Sequence, residues 1–403
     1  MRIPIVILIG LMLAAPLAAQ TRPRGRDLGI PFPGKTGPNN AITDVAGIAV
    51  GHVTLIEGEG KLIPGKGPIR TGVTAILPRP KGNWDPVFAA TFNLNGNGDM
   101  TGINWIKESG FMEGPILLTG THSVGTVRDA AIQWQLKNGR NFIFTYPIVA
   151  ETFDFLNDAN GEHVKPMHAL QALDNAKPGR VQEGAVGGGT GMGCNGFKGG
   201  IGTSSRVLEA GGYTIGVLVQ CNYGGDLRIL GVPIRQEITD LRACTTLPQP
   251  LTREWTRGMP ACPSDRGATD TPEAQQYEGR GSIIVIVATD APLLPHQLER
   301  LTRRVGMALG RLGSWAGNSS GDLFLAFSTA NPGAGSSEGT PSLKMLPNDQ
   351  IDPLFRATID ATEEAVVNAM LAADTMTGAD GIRLFGLPGD RVIAALKKYN
   401  RMK

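Results

Sequence analysis

Gly281-Ser-Ile-Ile-Val-Ile-Val-Ala-Thr289 is the stretch on which the fold turns. Every position from Ile283 to Ala288 is apolar, and most are β-branched. Such side chains are stiff in a helix and pack well on a pleated surface. An apolar run without alternation predicts a strand buried on both faces. Downstream, Pro292 and Pro295 lead into a helix whose apolar positions Leu298, Leu301, Val305, Ala308 and Leu312 follow helical spacing. A strand over Leu323 to Phe327 follows the Ser/Gly turn at 317–321. Pro353 to Ala373 reads as a second amphipathic helix, with Phe355, Ile359, Val366 and Met370 on one side. The alternation of strands and helices predicts an α/β molecule in which helices cover sheets.

Upstream of that run, residues 21–41 are rich in Pro, Gly and Arg and read as an extended arm. Short apolar segments between Ile42 and Leu77 read as strands and turns, as do Val87 to Leu94, Pro115 to Thr119, Asn141 to Val149 and Tyr213 to Gln220. Thr126 to Leu136 reads as helix. The glycine tract at 184–203 fails the P-loop pattern, because Lys198 is neither preceded by Gly nor followed by Ser or Thr. It is also too long and irregular for a dinucleotide fingerprint, which leaves bends and close backbone packing. Residues 236–280 are polar, without apolar period, and read as a long exposed loop.

The N-terminus predicts export. Arg2, the apolar Ile3 to Ala15 and Leu17-Ala-Ala19 have the layout of a signal peptide over residues 1–19, shorter than the ~20 apolar residues of a membrane span. Residues 20–403 then form one domain without a linker or repeat, in the periplasm or outside the cell. Thirty-eight basic residues against 36 acidic ones give no field that recruits nucleic acid or a membrane surface. In an oxidising compartment Cys244 and Cys262 can close the polar loop as a disulfide. Cys194 and Cys221, in Gly-rich and apolar surroundings, read as buried free thiols. The histidines at 52, 122, 163, 168 and 296 form no HExxH, and no Cys/His spacing suggests a metal.

Read alone, Ser282 is either a strand end or a nucleophile freed by self-cleavage. In the second case its Oγ attacks the Gly281 carbonyl, an N→O acyl shift forms an ester, and water releases it. Glycine tolerates the backbone strain of that shift. The new α-amine, with an ordinary pKa near 7.7–8.0, can act as general base for its own hydroxyl. Asn222 is either a turn residue or an oxyanion-hole amide. Ser320 and Asp322, on either side of Gly321, are a polar loop or two groups facing one side of a strand. The G-x-S-x-G spacing at 317–321 and 335–339 does not sit on a strand-to-helix turn as a nucleophile elbow does, and there is no convincing histidine partner for a triad.

Several segments, in order, resemble the DmpA/BapA family of self-processing serine aminopeptidases. They include Ala41-Ile-Thr-Asp-Val-Ala-Gly-Ile-Ala-Val-Gly-His52, Arg70-Thr-Gly-Val-Thr-Ala-Ile-Leu-Pro-Arg79, Phe197-Lys-Gly-Gly-Ile-Gly-Thr203 and Gly216-Val-Leu-Val-Gln-Cys-Asn-Tyr-Gly224. Arg26-Asp-Leu-Gly-Ile-Pro31, Gly281-Ser-Ile-Ile-Val285, Ser320-Gly-Asp-Leu-Phe-Leu-Ala-Phe-Ser-Thr329 and Ala361-Thr-Glu-Glu-Ala365 complete the set. The resemblance implies a four-layer α/β/β/α sandwich like that of N-terminal-nucleophile hydrolases, with different connectivity. It implies a chain split into 20–281 and 282–403, a homo-oligomer of such pairs, no cofactor, and substrates that are short peptides, amides or esters with a free amine. It makes Ser282 the nucleophile, Gly281 the residue before the cut, Asn222 the oxyanion amide, and Ser320 and Asp322 the hydroxyl and carboxylate beside the nucleophile. Glu151 becomes the carboxylate that holds the substrate ammonium. Phe153 falls where some relatives have Tyr, so that hydroxyl is absent, and Phe155 bears on pocket shape. The rival readings are a periplasmic small-molecule binding protein and an acyltransferase on the same scaffold.

Overall fold

In the computed structural model, which describes residues 22–256, 258–263 and 281–403, Ser282–Thr289 is buried along its whole length at the centre of a six-stranded sheet. Ten strands and four helices suffice to position the site. The strands are β1 (Ala49–Glu57), β2 (Ile69–Leu77), β3 (Val87–Gly96), β4 (Phe111–Met112), β5 (Ile116–Gly120), β6 (Ile148–Thr152), β7 (Gly200–Val207), β8 (Thr214–Asn222), β9 (Ser282–Thr289) and β10 (Gly321–Ser328). The helices are α1 (Val124–Lys137), α2 (Pro166–Asp174), α3 (Pro295–Arg311) and α4 (Asp352–Leu371). One sheet has the order β1-β2-β5-β6, the other β4-β3-β10-β9-β8-β7. β9 runs antiparallel to β8 and parallel to β10.

The continuous apolar run in β9 is explained by what lies on each side. Ile284, Ile286 and Ala288 face the first sheet and pack with Val50, Ile76, Leu118 and Ala150. Ile283, Val285 and Val287 point the other way, into Leu298, Leu301 and Val305 of α3 and Val366 of α4. A third apolar layer joins Val73, Leu117 and Val149 on the outer face of the first sheet to Val127, Trp134 and Leu173 of α1 and α2. The result is the expected α/β/β/α sandwich. Each fully buried Ile or Val contributes about 1.5–3 kcal/mol. Because both faces of β9 are apolar, a one-residue slip would expose nothing greasy, so hydrophobicity alone leaves the register open. Polar ends close it: the Thr289 hydroxyl donates to the Thr214 carbonyl at 2.8 Å.

Helix α3 starts with Pro295 at its first position and buries the predicted stripe from Leu298 to Leu312. Helix α4 is covered nearly all round, beyond the single apolar side predicted. Its Glu364 accepts from Arg26 and Asn40 of the N-terminal arm and pairs with Arg206 at 2.7 Å. The glycine tract makes a tight turn at Gly187–Gly189 wedged between the sheets, where a Cβ on Gly188 would lie 2.6 Å from the Leu118 carbonyl. Close backbone packing is therefore its structural use.

Three expectations are corrected. The strand expected over Asn141 to Val149 begins only at Ile148, because its partner β5 pairs from Ile116 onward; Ile143 and Phe144 stand exposed. The described part of 236–280 is no exposed loop: Ile238, Arg242, Leu251 and Met259 are buried, Cys244–Thr245 pairs with Ile382–Arg383, and Arg253 pairs with Asp380 at 3.2 Å. Polar residues that satisfy one another inside the fold leave no apolar period to read. Cys194 and Cys221 are bonded to each other, not free, since a hairpin over Gly193–Cys194 and Phe197–Lys198 folds back onto β8 and brings their Cα atoms to 5.7 Å. Cys244 and Cys262 form a second disulfide. Residues 1–19, the expected signal peptide, lie outside the described residues.

Candidate active site

Strands β8, β9 and β10 reach one edge of their sheet together. The register sets Asn222 opposite Ser282, and Ser282 opposite Gly321. Three groups far apart in sequence, Asn222, Gly281-Ser282 and Ser320-Gly-Asp322, therefore converge by strand pairing alone. β3 ends beside them with Gly96 opposite Gly321. The chain then crosses to the first sheet, where the Asp99 amide donates to Glu151 Oε1 at 2.9 Å.

The Gly281–Ser282 peptide is held at unusual backbone angles. Gly281 has φ of 139°, and a Cβ there would run into the Asn222 carbonyl, so no other residue fits. The Gly321 amide donates to Ser282 Oγ at 3.1 Å and lies 3.3 Å from the Gly281 carbonyl oxygen. In an N→O shift the negative charge develops on that oxygen, so this N–H is already placed to stabilise it. Nothing in the side-chain pattern announces a backbone donor. A Cβ on Gly321 would run into the Asn97 carbonyl and push the start of β10 away from Ser282. Gly321→Ala is therefore expected to slow the appearance of two chains on a denaturing gel by about 100-fold, the cost of one oxyanion donor. Cleavage at the wild-type rate would remove Gly321 from the reaction.

The Asn222 amide is buried and oriented at both ends. Its Oδ1 accepts from the Gly193 amide and its Nδ2 donates to the Phe153 carbonyl, both at 2.9 Å. Nδ2 carries a second hydrogen, which is free for another acceptor. Ser320 and Asp322 are also buried, and the Ser320 hydroxyl donates to Asp322 Oδ1 at 2.7 Å. Burial raises the Asp322 carboxyl, and the Ser320 bond partly offsets this. The other oxygen, Oδ2, is buried without a hydrogen-bond partner.

Ser282 and Gly281 open onto a cavity of about 640 Å³. Glu151 and Asp99 are its acidic lining, Thr121 donates to Glu151 Oε2, and among the described residues no lysine or arginine lines it. Phe153 and Phe155 form its aromatic wall, edge to face with ring centroids 5.4 Å apart. Burial raises the Glu151 carboxyl, with hydrogen bonds from Thr121 and Asp99 acting against it. A buried carboxylate at the wall of such a cavity can receive an ammonium group through charge-assisted hydrogen bonds. Asp99 and Thr121 carry no motif; the crossing after β3 brings the first here and the β5–β6 pairing the second. Phe153 serves doubly, its ring in the wall and its carbonyl on Asn222. Among the described residues no group of three His, Cys, Asp or Glu side chains is placed to hold a metal. His52 is half-buried, its imidazole pushed down to about 4 by desolvation, and its Nδ1 lies 3.0 Å from the Thr74 hydroxyl, in a structural role.

A family model described as Peptidase family S58 matches residues 40–384. The chain is 50% identical over 402 residues to beta-peptidyl aminopeptidase BapA of Sphingosinicella microcystinivorans, covering 98% of this chain and 97% of that one. Among solved structures it is similar to the L-aminopeptidase D-Ala-esterase/amidase of Ochrobactrum anthropi, with a TM-score of 0.82, 42% identity, and coverage of 95% of this chain and all of that one. That enzyme is described as a prototype for the serine aminopeptidases and as a new variant among the Ntn hydrolase fold. A Burkholderia sp. beta-aminopeptidase is similar with a TM-score of 0.78 at 43% identity, covering 93% of this chain and 98% of that one.

Proposed function

This chain belongs to peptidase family S58, and on that premise we propose that it is a serine aminopeptidase and amidase that cuts itself before Ser282 and then uses that residue as its N-terminal nucleophile. The observation that carries the reading is a single cavity lined by both Ser282 and Glu151, with the Asn222 amide opposite Ser282 on the neighbouring strand. Glu151 holds the substrate's ammonium. Ser282 Oγ attacks the carbonyl of that residue, and the α-amine created by self-cleavage takes the proton. The second Nδ2 hydrogen of Asn222 binds the oxyanion, and Ser320 with Asp322 steadies the proton's path. The leaving amine takes that proton, and water then attacks the acyl-enzyme to free the amino acid and restore Ser282. We propose β-amino residues among the accepted N-terminal residues, supported by the names of two relatives.

The test is release of p-nitroaniline from α- and β-aminoacyl p-nitroanilides beside their N-acetylated counterparts. Turnover of the free amines alone is expected. No turnover of either would favour a binding protein, and transfer of the acyl group to an added amine in place of hydrolysis would favour an acyltransferase.

Glu151 also sets a pH dependence. Its ionised form binds the ammonium and its folded-state pKa is raised by burial, so kcat/KM is lost as pH falls through that raised value. The acid limb is expected to start above the ordinary glutamate value near 4.3. Glu151→Gln should raise KM about 10- to 100-fold, the worth of a hydrogen bond to a charged group, and flatten that limb. An unchanged limb would assign it to another group.

We further propose export, supported by the leader-like residues 1–19 and by two disulfides, which persist in oxidising compartments. Assembly of processed pairs into a larger oligomer is supported by the exposed cluster of Trp105, Ile143, Phe144 and Tyr146, a patch of the kind that interfaces cover. Light scattering on the purified protein gives the mass of the assembly directly.

A further inference from the structure

Lys198 is fully buried in the hairpin beneath Asn222, yet among the described residues no carboxylate lies within ion-pair distance of it. Its Nζ donates to the carbonyls of Met192 and Gly199, both at 2.8 Å, and lies 3.4 Å from that of Gly189. An ammonium has three N–H donors, and three carbonyls receive them. Burial pushes it down to about 7, so holding a cation here is costly. A neutral donor could serve these carbonyls without that cost, which points to a use for the charge itself.

The Met192 carbonyl and the Gly193 N–H are two ends of one peptide group. The first accepts from Lys198, and the second donates to Asn222 Oδ1. Asn222 in turn donates one Nδ2 hydrogen to the Phe153 carbonyl and keeps the other. Charge at one end of such a chain strengthens each donor along it. The Cys194–Cys221 disulfide clamps the same hairpin to the residue preceding Asn222, so the chain of bonds cannot drift from its target. We infer that Lys198 is a positioning residue for amide hydrolysis: through the 192–193 peptide it orients and polarises the Asn222 side chain toward the substrate's carbonyl oxygen. The inference rests on the reading of Asn222 as the oxyanion donor.

The test uses the full chain, with Lys198→Met and Lys198→Gln each measured alone and with Asn222→Ala. Rates on an aminoacyl p-nitroanilide are expressed per mole of processed protein. Lys198→Met is expected to lower kcat about 10-fold, less than loss of the donor itself, with KM held within about twofold because Glu151 is untouched. Lys198→Gln, which keeps a neutral N–H donor, should recover part of kcat. In the Asn222→Ala background Lys198→Met should change kcat by less than about twofold, since the group it acts through is gone. Effects that multiply, a loss carried by KM, or an unchanged kcat in Lys198→Met would overturn the inference. So would failure of both lysine variants to fold or self-cleave, which would assign Lys198 to folding. An Asn222→Ala enzyme with wild-type kcat would instead sink the oxyanion reading on which the inference stands.

Discussion

Ser282→Ala is expected to yield one uncut chain that hydrolyses aminoacyl p-nitroanilides at no more than about one ten-thousandth of the wild-type rate, as for loss of a serine nucleophile elsewhere. The size of the effect follows from the double use of one atom. In the proposed mechanism Ser282 Oγ attacks Gly281 in self-cleavage and the substrate afterwards, and an uncut chain never acquires the α-amine that would serve as base. The fold should survive, because the core of β9 runs from Ile283 to Ala288 and Ser282 contributes only its end. Thermal unfolding of the variant checks this, and a cooperative transition with a midpoint no lower than that of the processed wild type is expected. Ser282→Cys supplies the control in the other direction: its thiol keeps an attacking atom and should still cleave the chain.

Asn222→Ala is expected to lower kcat about 100- to 1,000-fold with little change in KM, the signature of a donor that acts on the transition state. Deletion also removes the acceptor of the buried Gly193 N–H, at about 1–3 kcal/mol, so a lower unfolding midpoint should accompany the loss. Asn222→Asp separates the two effects. Its carboxylate can still accept from Gly193 but has no hydrogen for the oxyanion and brings a like charge to it. Activity should therefore remain at the alanine level or below. Recovery of kcat by aspartate would mean that Asn222 serves packing alone.

The parts of the fold written in the sequence are those where side chains state their surroundings. The doubly apolar β9 required cover on both faces, and the stripe of α3 supplied one of them. The candidate site was legible through the resemblance carried by residues around Asn222, Ser282 and Ser320. Strand register then explains why these three stand at one sheet edge. Groups without a side-chain signal stayed hidden: the Gly321 N–H, and the Asp99 amide on Glu151. Segments whose patterning contradicts their burial misled the reading. Ile143 and Phe144 are apolar but exposed, while Arg242, Thr245 and Thr256 are polar yet buried in the segment that the Arg253–Asp380 pair holds. The Cys194–Cys221 bond spans 27 residues and depends on a hairpin built by the glycine tract, which no spacing rule anticipates.

The central claim, that one serine both cuts the chain and carries the acyl group, is tested most directly by the intact mass of the wild-type protein with a slowly released aminoacyl ester. The account predicts two chains, the smaller with 122 residues beginning at Ser282 and alone gaining the mass of the acyl group. A single uncut chain after long incubation, or an acyl group found on the larger chain, would contradict it.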